Sequence, residues 1–163
     1  MYPPVRSGNG SDCLRFTAEE SAAWGVQWNR TRLPREEFEL WARSAECMDC
    51  SVDMDDGVSC RAGITSFWLT WDGRMLPCGM MNGPAVDVCA SGFDQAWNQI
   101  RYEVRRIRMP QECARCPKRP MCSVCAAVCL SETGRFDAVP EYVCRRTDET
   151  IRLMQEVATK ENI

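Results

Sequence analysis

Twelve cysteines and not one histidine in 163 residues constrain this chain more than any other feature. Disulfides rarely persist in a reducing cytosol, so a cytosolic chain with this much cysteine uses it for metal or redox chemistry. The lack of His removes most hydrolytic zinc sites, the two-His iron triads and imidazole acid–base catalysis. What remains is all-thiolate ligation, which suits zinc or iron–sulfur. The cytoplasmic assignment is an expectation from Met1 to Gly10, a stretch without the apolar region of a signal peptide. It also disfavours a disulfide-stapled secreted domain. No apolar run approaches the roughly 18 residues of a membrane span, so no membrane partner is expected. The formal net charge is −3, from 20 basic and 23 acidic residues, which speaks against nucleic acid as a partner.

The chain outside the cysteines reads as an irregular α+β protein: a small β-hairpin and several helices around a Cys-rich loop region that binds two metal clusters. Thr17 followed by Glu20 is a capping-box pattern, with Phe16 placed as a staple, and opens a helix to about Arg32. A second helix starts near Pro34 and carries Phe38 and Trp41. Cys47 to Gly57 is polar and acidic, hence a loop. Ile64 to Thr70 and Arg74 to Leu76 flank an Asp72-Gly73 turn and read as the hairpin. Phe93, Trp97, Ile100, Val104 and Ile107 recur at helical spacing and predict a helix over about 92–108. A last helix is expected over about Thr147 to Lys160, with Ile151, Met154 and Ala158 on one face. The segments 44–63, 77–91 and 110–146 read as loops, too long to order themselves without metal ligation.

From position 60 onward the cysteines fall at 60, 78, 89, 113, 116, 122, 125, 129 and 144. Cys60 and Cys78 bracket the hairpin, which brings its ends together and lets both thiolates reach one ion or cluster. Cys113, Cys116, Cys122, Cys125 and Cys129 fill a 17-residue stretch with two-residue and longer gaps, a strong metal signal.

Cys60-x12-Gly73-x4-Cys78, then Cys113-x2-Cys116-x5-Cys122 with further Cys close behind, then the distal Cys144, resembles the SPASM domain of radical SAM enzymes. The residues around these positions agree: Cys60-Arg-Ala-Gly63, Phe67-Trp68-Leu69-Thr70-Trp71-Asp72-Gly73, Pro77-Cys78-Gly79-Met80-Met81, and Pro140-Glu141-Tyr142-Val143-Cys144. The resemblance implies two 4Fe–4S clusters and a peptide or protein substrate. Electrons leave through the clusters in a peptide-maturing oxidoreductase. Carried over, Cys60, Cys78, Cys125 and Cys129 hold the first cluster. Cys113, Cys116, Cys122 and Cys144 hold the second. The family pattern has Cys-x3-Cys after the x5 gap, and Cys122-x2-Cys125-x3-Cys129 departs from it. Cys47 or Cys50 therefore competes with Cys129 for the fourth place in the first cluster.

The resemblance also implies a division into 1–57, a linker with helices following a radical SAM barrel; 58–150, the SPASM domain; and 151–163, the end of the last helix. Tyr2-Pro3-Pro4-Val5-Arg6 resembles the end of a late barrel strand. The Cys-x3-Cys-x2-Cys triplet that holds a SAM-cleaving cluster is absent from the sequence. The expectation is a fragment or split gene product, with no catalytic residues and not catalytic alone, in which S-adenosylmethionine enters only through a barrel domain or subunit. The competing class is a structural zinc module with two four-thiolate sites and an interaction role. Cys13 and Cys89 lie outside the pattern and are expected as buried thiols. The Trp residues at 24, 28, 41, 68, 71 and 97 are expected mostly in the core, and Met80-Met81 as packing beside a cluster. Arg101, Arg105, Arg106 and Arg108 read as a solvated helix face, and Glu132 and Asp137 as carboxylates without a catalytic setting.

Overall fold

The structure is a computed structural model that describes residues 15–45, 57–58 and 60–161. Cys13, Cys47, Cys50, the segment 1–14 and most of the loop 47–57 lie outside the described residues. The chain forms two compact units. One comprises, of the described residues, 57–58, 60–114 and 125–139; the other comprises 15–45, 115–124 and 140–161.

The first unit is built on a three-stranded antiparallel sheet, β1 (Trp68–Leu69), β2 (Arg74–Leu76) and β3 (Val86–Asp87), in that spatial order. The expected hairpin is β1–β2, paired Trp68 to Leu76 and Leu69 to Met75. The Thr70 N–H donates to the Arg74 carbonyl at 2.9 Å across the turn, and the Arg74 guanidinium holds Asp72 at 2.8 Å. The third strand falls inside the segment read as a loop. Two residues are too few to show an alternating pattern, so only pairing with β2 makes them a strand. Helix α3 (Val88–Ser91) follows at once, capped by the Asp87 carboxylate accepting from the Ala90 N–H at 3.0 Å. Helix α4 (Phe93–Val104) buries Ala96, Ile100 and Val104 and packs on β2 and β3. It ends four residues short of the expected 108, yet Ile107 is still buried beyond it.

Gly63 explains how α4 comes so close. Its φ is +75°, and a Cβ there would lie 2.5 Å from Val104 Cγ2 and 3.0 Å from Pro77 Cβ. Past α5 (Gln111–Ala114), helix α6 (Ala126–Thr133) lies in the Cys-dense segment 110–146 that reads as a loop in the sequence. It buries Ala126, Ala127, Cys129, Leu130 and Ser131, apolar or small on nearly every side, so no helical stripe could appear.

The second unit is helical. In α1 (Ala18–Arg32) the capping box forms as expected: Thr17 Oγ1 accepts from the Glu20 N–H at 3.1 Å, and the Thr17 N–H donates to Glu20 at 2.9 Å. The staple does not form, because the fourth helical position is the polar Ser21 and Phe16 is 40% exposed. Helix α1 lies along α7 (Glu141–Glu161) and buries Ala18, Ala22 and Val26. Helix α2 (Arg35–Ser44) adds Phe38 and Ala42, and Ile151, Met154 and Ala158 of α7 complete the core, on the face anticipated. Helix α7 begins at Glu141 rather than near Thr147, its first turn closed by Val143 and Cys144 N–H groups on the Pro140 carbonyl. It runs unbroken through residue 150.

The tryptophans depart from expectation. Trp24, Trp28, Trp68 and Trp71 are exposed, and Trp41 and Trp97 are half-buried. In α1 the small residues form the buried face, and Trp24 and Trp28 fall opposite. Among the described residues, no helix is long and apolar enough to cross a membrane.

Candidate metal centre

The nine described cysteines are thiols rather than disulfides. Six of the eight expected ligands fall into two electrostatic groups, one in each unit.

In the first unit, Cys78 follows β2 directly, half-buried, and the Met80 N–H donates to its Sγ at 3.4 Å. Met81 behind it is buried, while Met80 is half-buried. Cys60 is exposed, in the turn that leads to Gly63. Cys125 stands at the N-cap of α6. Burial pushes its thiol up, and the Cys60 and Cys78 thiols add to that. The N–H groups of Ala127 and Val128 pull the other way, close enough to favour the thiolate without the geometry of a side-chain cap. Cys129 lies four residues on, hence on the same side of the helix, and is fully buried. Cys60, Cys78, Cys125 and Cys129 thus share one unit.

In the second unit, Cys116, Cys122 and Cys144 are each half-buried. Cys144 sits in the first turn of α7. Burial raises its thiol first, then the charges of Cys122, Cys116 and Asp148, while Lys118 opposes them. Lys118 is ion-paired with Asp148, and that bond, followed by the Cys116 and Cys144 charges, holds the ammonium above its ordinary value. Cys113 is buried on α5, and its chain segment belongs to the first unit.

Cys89 is exposed on α3, not buried as expected, and its Sγ sits 3.0 Å from where a Gly73 Cβ would be. Among the described residues, no three Cys, Asp or Glu side chains converge tightly enough to hold a metal ion.

No protein-family model, curated protein or solved structure matches this chain.

The donor chemistry fits an iron–sulfur group: sulfur donors only, backbone N–H near two of the sulfurs, and a buried cation midway in sequence between two others. That cation is Arg119, which the sequence reading passed over. It lies midway along Cys116-x5-Cys122 in a 3-10 turn, Arg119–Met121, and is 5% exposed. Its Nη1 donates to the carbonyls of Cys122 at 3.3 Å and Val124 at 2.5 Å. Nε and Nη2 are buried without a hydrogen-bond partner. A cation between two thiolates, flanked by Pro117 and Pro120, was the available signal. The four arginines singled out instead are mostly solvated: Arg105, Arg106 and Arg108 are exposed, and Arg101 lies over Trp97. Asp137 is paired with Arg135 at the surface.

Proposed function

We propose that this chain carries two auxiliary 4Fe–4S clusters, as the SPASM portion of a radical SAM enzyme that modifies a peptide or protein. The observation that carries the reading is the separation of thiols into two groups of one chemical kind. Cys60 and Cys78 raise the Cys125 thiol in one unit, and Cys122 and Cys116 raise the Cys144 thiol in the other. Cys129, in the same unit as Cys60, Cys78 and Cys125, completes the first group. When bound, such clusters pass single electrons, at potentials tuned by net charge, hydrogen bonds to sulfur and exposure.

The residues of the chain do the tuning. The Met80 N–H donates to Cys78 sulfur, and the head of α6 favours the Cys125 thiolate. Lys118 sets a positive charge beside Cys116 and Cys144, and its pairing with Asp148 holds it there. The half-exposed second group suits exchange of electrons with a partner. S-adenosylmethionine cleavage belongs to a barrel domain or subunit, since the Cys-x3-Cys-x2-Cys triplet is absent. A structural zinc module usually pairs one Cys-x2-Cys with another, whereas Cys60 and Cys78 are 18 residues apart around the hairpin.

The test is metal content. Anaerobically reconstituted protein should be brown and bind about eight irons with matching sulfide, as two four-iron clusters require. Colourless protein with stoichiometric zinc overturns the proposal.

A further inference from the structure

Arg119 presents an unresolved charge. Guanidinium remains protonated at any pH the fold survives, and it carries five donors in a fixed fork. Here Nη1 is anchored to two backbone carbonyls, while Nε and Nη2 are buried and idle. A buried cation with unused donors is strongly unfavourable unless an anion shares its site. The anions its place in the chain offers are sulfur: Arg119 lies three residues from Cys116 and three from Cys122, and its backbone is tied to both. Its N–H donates to the Cys116 carbonyl at 2.9 Å, and its carbonyl accepts from the Cys122 N–H at 3.1 Å.

We infer that Arg119 is the buried counter-cation of the second cluster, its Nη1 fixing the side chain to the loop and its Nε and Nη2 available to cluster sulfur. The inference rests on the cluster reading above. A four-thiolate 4Fe–4S cluster is an anion and gains a further negative charge on one-electron reduction. A fixed positive charge in a dry site therefore stabilises the reduced form more than the oxidised one and raises the potential. Arg119 is a positioning residue in this account, acting on the cluster's charge and on the Cys122 backbone.

The test compares wild type, Arg119→Met and Arg119→Lys in the full chain, reconstituted anaerobically and titrated with dithionite under EPR. Arg119→Met should keep its iron, while the midpoint potential of one cluster shifts downward and the other stays. Arg119→Lys, which keeps charge but loses the fork, should hold that potential near the wild-type value. Equal iron and unchanged potentials in Arg119→Met overturn the inference and leave the cluster reading intact. Should Arg119→Met fail to load the second cluster, Arg119→Lys decides. Full loading at near wild-type potential supports a counter-charge, and loss of the cluster with Lys shows that the fork merely ties the loop. Wild-type chain that takes up no iron overturns the cluster reading itself.

Discussion

Gly63 and Gly134 both adopt left-handed backbone, at φ +75° and +79°, yet their surroundings differ. A Cβ on Gly63 would drive into Val104 and Pro77, whereas one on Gly134 would meet nothing within 4 Å. Gly134→Ala should cost only the conformational penalty, about 1–2 kcal/mol. Gly63→Ala adds overpacking and should cost roughly 2–5 kcal/mol. Urea denaturation of the two variants checks this, and equal losses would mean that α4 shifts freely to make room. The Gly63 position illustrates what a sequence hides. Its contact partner lies 41 residues away, and no local pattern marks it.

At the scale of elements, α6 is the most informative correction. The segment from Cys113 to Cys144 reads as a loop because it is dense in cysteine and broken by Pro117, Pro120, Gly134 and Pro140. Folded, α6 carries Cys125 at its head and Cys129 one turn on. That arrangement agrees with the place proposed for Cys129 in the first cluster, while Cys47 and Cys50 lie outside the described residues. Cys129→Ala should therefore lose about half the iron, and Cys50→Ala should keep it. Cys78→Ala and Cys116→Ala should each remove half, from different clusters, so that the double variant holds none. Iron analysis with EPR of the remaining cluster separates these outcomes. Removal of the same signal by Cys78→Ala and Cys116→Ala would show that the two-group partition is wrong.

At the scale of the molecule, the metal-free chain should respond to alkaline pH. Burial chiefly raises the Cys125 and Cys144 thiols, so the folded chain keeps protons there that the unfolded chain has released. Stability from these groups is whole below the unfolded thiol range and is lost as pH rises through their folded values. Lys118, raised by Asp148, acts in the same direction at higher pH. The urea midpoint of metal-free protein should fall between about pH 8 and pH 10, the range in which thiols titrate. The slope should flatten when Cys125 and Cys144 are both replaced by Ala. A midpoint that climbs with pH would contradict the burial of these thiols. A further expectation concerns catalysis: with S-adenosylmethionine and a reductant, this chain alone should form no 5′-deoxyadenosine, because the cleaving triplet is missing. Turnover above a protein-free control would show that its clusters have been assigned to the wrong role.

The sequence by itself determined what depends on neighbours three or four residues apart. The Thr17–Glu20 box, the Asp72-Gly73 reversal and the apolar faces of α4 and α7 were all legible, since side chains at those spacings meet within one turn. Sulfur spacing likewise carries the chemical class proposed for the candidate site. Only the tertiary structure decided which thiols share a unit, why the tryptophans of α1 face outward, that two residues at 86–87 become a strand, and that Arg119 is buried with donors to spare. Each of these turns on contacts between distant segments or on what solvent can reach, and neither leaves a periodic mark in the chain.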